Sequence, residues 1–275
     1  MRSKETFHNT AAAQLEKAIE GLDERQATAF ADLFHDFLDL HLAFFCNNRN
    51  ERQQELAKRL RQDEKYKERF IAAVHAYGDA AEGYNDPLGD MFMRRISHGQ
   101  NGQFFTPTHV CELMARILDP MAETINDPCC GSGRLILAGL KVARENGQEP
   151  TVYANDLSIT CSKMALLNLL VNSACGEVSC GDSLRCDYEN FRFFKIDRIH
   201  TSSSAPAIST YWQYTLADVE QVNEERKRWW YNVHLWGWWI NANPTKENAR
   251  EALKNEPQPL PIEIKVESNG QLALF

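Results

Sequence analysis

No stretch of this 275-residue chain approaches the roughly 18 to 20 consecutive apolar residues of a membrane span. Its first residues carry no secretory pattern either, so a soluble protein with no membrane partner is expected. Positive charge is scarce: 30 Lys and Arg stand against 38 Asp and Glu, a formal charge of −8. That balance argues against a protein that coats nucleic acid by bulk electrostatics and leaves room only for a local basic face. The eight cysteines contain no C-x-x-C pair, and Cys175, Cys180 and Cys186 cluster only loosely. No metal site is therefore expected, and the thiols read as reduced, in a bacterial-style cytoplasm. Internal repeats are absent as well.

What is present divides in two. Residues 10–77 carry helical periodicity. Leu15, Ile19 and Leu22 make one apolar stripe. A broader stripe (Phe30, Leu33, Phe34, Phe37, Leu38, Leu40, Leu42) predicts a buried helix. Residues 49–70 alternate charge at helical spacing, which predicts a solvated face. Residues 78–89, with Asn85-Asp86-Pro87, read as a loop and a junction. From about Phe92 short β-rich segments alternate with helical ones: helix 108–118, strand 124–127, helix 133–145, strand 151–155, helix 158–173, strand 177–180. This alternation predicts an α/β fold with a doubly wound parallel sheet. Further along, 196–201 reads as a fourth strand, 216–230 as a helix and 229–239 as an aromatic block for core or interface.

The richest segment is Asp127-Pro128-Cys129-Cys130-Gly131-Ser132-Gly133, between a strand and a helix, with Asp156 closing the next strand. Strand, acid, glycine turn, helix, strand, acid builds a pocket for a nucleoside-bearing cofactor at the carboxyl edge of a sheet. Glycines let backbone approach the ligand, and the second acid accepts ribose hydroxyls. The spacing is not G-x-G-x-x-G and no Lys follows as in a P-loop. S-adenosylmethionine therefore fits better than a dinucleotide or ATP.

Upstream stands Gly102-Gln103-Phe104-Phe105-Thr106-Pro107, and after the third strand comes Gly181-Asp182-Ser183-Leu184. Together these three motifs resemble those of the N6-adenine DNA methyltransferases, above all the modification subunits of type I restriction systems and the solitary methylases of mobile elements. The resemblance spans residues 86–200. It implies a Rossmann-like S-adenosylmethionine-dependent methyltransferase fold with an N-terminal helical region. It also implies that Phe105, Thr106 and Pro107 hold the methionine end of the cofactor and that Asp127, Gly131 and Gly133 form the turn beneath it. Asp156 then takes the ribose hydroxyls and Asp182 the adenine amine, with Phe104, Cys129, Leu157 and Ser183 lining the same pocket. A carboxylate facing two hydroxyls or an exocyclic amine makes directional, charge-assisted bonds, and an aromatic wall suits a sulfonium cation. Taken singly, each motif also has an ordinary reading: Phe104 and Phe105 as core, Asp127-Pro128 as a strand exit, Gly131 and Gly133 as a helix-entry turn.

Amino-methyltransferases of this kind carry an Asn/Asp/Ser-Pro-Pro-aromatic tetrapeptide after the fourth strand. It accepts hydrogen bonds from the target amine and stacks on the flipped base. No two prolines are adjacent in this chain. The corresponding position reads Ile196-Asp197-Arg198-Ile199-His200-Thr201-Ser202-Ser203-Ser204-Ala205-Pro206. Ser202, Ser203, Ser204 and Pro206 are thus the candidate catalytic residues, without a stacking ring. Three functions stay open: a DNA adenine methyltransferase with an unusual loop, a non-catalytic accessory of replication or restriction, and a methyltransferase for a non-DNA substrate. Arg226-Lys227-Arg228 beside Trp229-Trp230 reads either as a phosphate and stacking contact or as a basic helix end on core aromatics. DNA and a separate specificity subunit are the partners that the resemblance implies.

The chain ends Gln271-Leu272-Ala273-Leu274-Phe275, which resembles the Q-L-x-L-F peptide that docks bacterial DNA-processing proteins on the sliding clamp. Leu272, Leu274 and Phe275 would fill apolar pockets while Gln271 bonds at the rim; the alternative is a terminal β-strand. The expected organisation is a helical region (1–85), a methyltransferase-like domain (86–267) and a flexible tail (268–275).

Overall fold

The structure, a computed structural model, describes residues 2–25, 27–97, 104–118, 123–184, 191–199, 208–215, 265–266 and 272–273. Met1–Ala217 form one compact unit and Asp218–Phe275 a second. In the second, strands Lys265–Val266 and Leu272–Ala273 pair antiparallel.

The sheet of the first unit has the order β1 (Thr124–Asp127), β2 (Thr151–Asp156), β3 (Cys175–Cys180), β4 (Arg192–Ile199), β5 (Ile208–Tyr214). β1, β2 and β3 run parallel, with α7 (Arg134–Glu145) and α8 (Ile159–Val171) as crossovers. β4 is antiparallel to β3, and β5 to β4. The expected doubly wound parallel sheet is therefore corrected: only β1–β3 are parallel, the strand order among the described residues never reverses as double winding requires, and the sheet is mixed. Connection length explains the change. A parallel return needs a crossover of about a dozen residues or more, usually a helix, and only residues 181–191 separate β3 from β4. The fourth strand accordingly runs back toward the amino edge, where Ile199 and Ile208 face each other in register. The fold is nonetheless α/β and Rossmann-like, and its carboxyl edge collects the loops after β1, β2 and β3.

α8 is apolar nearly all round, and Met164, Leu166, Leu167, Leu169 and Leu170 are buried. Such a helix must be covered on both sides. The sheet covers one side and α2 (Phe30–Phe45) the other, with Phe34, Phe37, Leu38 and Leu40 fully buried. Each such side chain contributes roughly 1.5–3 kcal/mol by leaving water. α1 (Arg2–Glu20) and α4 (Glu64–Ala81) pack together, and α1 and α3 (Glu51–Gln62) also pack on α2. Only Gln53 and Leu56 of α3 are buried, so its charged face is solvated as expected. Asn50 starts α3 with a reciprocal capping box to Gln53. Buried polar bonds tie this helical layer to the rest: Gln53 Nε2 donates to Tyr211 Oη of β5 at 2.7 Å, and Tyr77 Oη donates to Asn168 Oδ1 of α8 at 2.7 Å. Among the described residues no helix is long and apolar enough to cross a membrane.

Candidate cofactor site

β1 ends on Asp127, and the chain must then reverse into α7. Gly131 (φ +57°) and Gly133 (φ +85°) make that reversal in the left-handed region that other residues rarely adopt. Space demands glycine as well. A Cβ on Gly131 would lie 2.9 Å from the Phe105 ring, and one on Gly133 would lie 3.2 Å from Ala165. Phe105 thus sits directly on the turn, stacked in turn on Phe92 with ring centroids 6.0 Å apart. Pro107 and Thr106 are exposed and begin α6 (Thr108–Leu118), where the Pro107 carbonyl accepts from Val110 and Cys111. Phe104 stands 78% exposed, an aromatic ring with no cover.

Asp156 closes β2. Its Oδ2 accepts from Gly131 N and its Oδ1 from Ser158 N, both at 2.8 Å. The acid that sequence assigns to a ligand therefore also fastens the glycine turn and the start of α8. Asn155 ties the strand ends together: its Nδ2 donates to the carbonyls of Pro128 and Gly181, and its Oδ1 accepts from Ser179 Oγ at 2.8 Å. Asp182 accepts from Leu184 N at 3.0 Å, which turns the loop after β3. Cys129 Sγ and Ser183 Oγ stand 4.0 Å apart. The structure thus gathers Phe105, Asp127, Cys129, Gly131, Gly133, Asp156, Asp182 and Ser183 around one edge. Leu157 beside them is 72% exposed.

Asp127 is half-buried, and its Oδ1 accepts from Cys129 N at 3.0 Å. Burial pushes its carboxyl above the usual range, the Cys129 N–H pulls it part of the way back, and the charge of Asp156 pushes it up again. A carboxylate held at a desolvation cost gains from any cation placed against it. Cys130 is different: burial raises its thiol well above the ordinary value, so it is packing rather than a nucleophile.

Sequence reasoning missed three groups. Leu184 is 77% exposed on the loop after β3, an apolar side chain as uncovered as Phe104 and Leu157. Asn155 knits the strand ends. Behind the turn lies a buried polar cluster of Asp86, Ser132, Arg134 and Asn168. Asp86 was legible only as part of a loop; Asp before Pro87 at the first helical position is an N-cap signal, and the side chain does cap α5 (Pro87–Phe92) through Gly89 N at 2.9 Å. Ser202, Ser203, Ser204 and Pro206 lie outside the described residues, as do the 226–239 block, Gln271, Leu274 and Phe275. Leu272 belongs to the short paired strand Leu272–Ala273. Among the described residues no group of three His, Cys, Asp or Glu side chains could hold a metal ion.

The sequence profile of the N-6 DNA Methylase family matches residues 84–235, from just before Asp86 to beyond β5. The chain belongs to the N-6 DNA methylase family. It is 28% identical over 194 residues to the Type I restriction enzyme MpnII methylase subunit of Mycoplasma pneumoniae, covering 68% of this chain and 32% of that protein. With the MjaVIII methylase subunit of Methanocaldococcus jannaschii it shares 30% identity over 118 residues, 38% of this chain and 20% of the relative. The chain thus spans a third or less of the length of these methylase subunits. A crystal structure of a type I restriction-modification methyltransferase subunit from Streptococcus thermophilus superposes on 64% of the chain and 40% of its own, with 20% identity and a TM-score of 0.34.

Proposed function

We propose that the carboxyl-edge pocket of this N-6 DNA methylase family member binds S-adenosylmethionine and that the protein methylates adenine N6 in DNA. One observation carries the cofactor reading. A left-handed glycine turn lies under Phe105 and between Asp127 and Asp156, with Asp182 on the adjoining loop. The donor set fits the cofactor. Asp127 offers a costly carboxylate to a cationic amino group. The lone pairs of Asp156 not used by Gly131 and Ser158 accept ribose hydroxyls. Asp182 accepts an exocyclic amine, and the exposed side chains of Phe104, Leu157 and Leu184 supply apolar cover for a flat base. S-adenosylmethionine, when bound, supplies a methyl group on a sulfonium. The chain orients it, keeps water from it and holds its charged end.

DNA as the substrate, and a specificity subunit as a partner, are supported by the kinship with methylase subunits of type I restriction enzymes. Within the same proposal, Gln271–Phe275 docks the protein on a sliding clamp. Such a tether raises local DNA concentration without a basic surface, which suits a formal charge of −8. A second reading, cofactor binding without methyl transfer, is favoured by the absence of adjacent prolines in the chain.

Calorimetry tests the pocket: wild type should bind S-adenosylmethionine, and Asp156→Asn, which keeps an acceptor for the Gly131 N–H, should bind more weakly. Long-read sequencing of host DNA with and without the protein separates the two readings. New N6-methyladenine sites support catalysis, and unmodified DNA alongside a bound cofactor supports the accessory reading. Deleting residues 271–275 should abolish retention on immobilised clamp.

A further inference from the structure

We infer that Asp86 is a positioning residue for the cofactor turn: it fixes the turn from behind and, through Asn168, links it to Tyr77 of α4. The inference rests on the reading of the pocket as an S-adenosylmethionine site. Asp86 lies on no strand of the sheet, yet its side chain is 0% exposed. Its Oδ1 accepts from Gly89 N and from Asn168 Nδ2, each at 2.9 Å. Its Oδ2 accepts from Ser132 Oγ at 2.5 Å and from Arg134 Nε at 3.1 Å. Asn168 Nδ2 also donates to the Ser132 carbonyl at 3.0 Å. The middle residue of the Gly131–Gly133 turn is therefore held by both its hydroxyl and its carbonyl, while Gly131 N is held from the front by Asp156.

The same cluster reaches the other half of the pocket. Arg134 Nη1 donates to the Thr106 carbonyl at 3.4 Å, and its Nη2 bonds Asp90 Oδ1 at 2.5 Å. Thr106 follows Phe105, the ring that covers Gly131, so turn and cover hang from one anchor. On the far side Tyr77 Oη, from α4, donates to Asn168 Oδ1. Close approach is built in, because a Cβ on Gly89 would fall 2.0 Å from Asp86 Oδ2 and 2.4 Å from Ser132 Oγ. A buried ion pair is weak evidence for stability, since well-packed apolar residues often serve as well. What an apolar substitute lacks is direction: four donors aimed at one carboxylate fix three backbone segments at once, and a binding site needs its supporting shell held in that way.

The test uses the full chain and three variants: Asp86→Asn, Ser132→Ala, and Ile19→Val as a remote control in the buried face of α1. S-adenosylmethionine affinity is measured by calorimetry well below every melting temperature, and amide hydrogen exchange is followed at residues 131–133 and in α2. Asp86→Asn should weaken binding about tenfold or more, the scale on which outer-shell partners act at metal sites, and Ser132→Ala by a smaller factor. Exchange should quicken at the turn in both while α2 is unchanged, and Ile19→Val should bind as wild type. Wild-type affinity and unchanged turn exchange in folded Asp86→Asn and Ser132→Ala would overturn the inference, as would an equal loss in Ile19→Val. If Asp86→Asn does not fold, Ser132→Ala decides by the same two readouts. Wild type that binds no S-adenosylmethionine overturns the pocket reading itself, and is told apart because no variant is needed to see it.

Discussion

The front and the back of the glycine turn are built from the same chemistry in opposite states. Behind it, Asp86 is sealed from water and its two oxygens are filled by backbone, amide, hydroxyl and guanidinium donors. In front, Asp127 is half-buried with a single backbone hydrogen bond described to its side chain, and Phe104, Leu157 and Leu184, from the segments that lead to this edge, are exposed. The saturated carboxylate contributes order. The under-supplied one carries a desolvation cost that a cation placed against it would relieve. Asp156 belongs to both, because it holds Gly131 N and Ser158 N and still faces the pocket edge. The difference separates holding the site from being the site, and mutations on the two sides should separate stability from binding.

The largest effect is expected behind the turn. Asp86→Ala strands Arg134 and Ser132 in the interior and should cost about 3–5 kcal/mol, the range for breaking a buried pair by removing one partner; denaturant unfolding measures it. Within the turn, Gly131→Ala meets both a positive φ and the Phe105 ring. It should cost about 1–3 kcal/mol and take cofactor binding with it; melting and calorimetry report the two losses separately.

In front, the sign should change. Because burial raises the folded pKa of Asp127, the folded state holds that proton more tightly than the unfolded chain does. Its carboxylate therefore destabilises the fold above that pKa, and the penalty is relieved as pH falls through it. Asp127→Asn keeps an acceptor for the Cys129 N–H and should melt at the wild-type temperature or slightly above when measured at neutral pH. Cofactor affinity runs the other way: it should fall on acidification, beginning at a higher pH than an ordinary aspartate would set, and calorimetry across pH reads the onset. The smallest stability effect belongs to Leu184→Ala, within about 0.5 kcal/mol of wild type as for an exposed side chain, yet with measurably weaker cofactor binding. Equal losses of stability on both sides of the turn would erase the comparison.

The front was legible in sequence because it is contiguous. Asp127 to Gly133 lies in one turn, and Asp156 and Asp182 each stand at the end of a strand whose spacing the β/α alternation fixes. The back was not legible, since Tyr77, Asp86 and Asn168 come from separate parts of the chain and reach Ser132 and Arg134 only through packing. Asn85-Asp86-Pro87 has the composition of a surface turn, and nothing local says that its aspartate is buried. The sheet divides in the same way. The parallel half follows from helices between strands, whereas the direction of β4 depends on a connection, 181–191, too short for a crossover. Its length was the available signal, and the apolar pattern of the strand, equally good in either direction, concealed it.

The central claim is that the front of the turn is a cofactor site whose carboxylates serve a ligand. Titration of the intact protein with S-adenosylmethionine, repeated on Asp127→Asn at matched melting temperature, tests it most directly. The account predicts saturable binding by wild type and an affinity at least about tenfold lower in the variant, the size of a lost charge-assisted contact. Undiminished affinity in the variant, or no saturable binding by wild type, would contradict it.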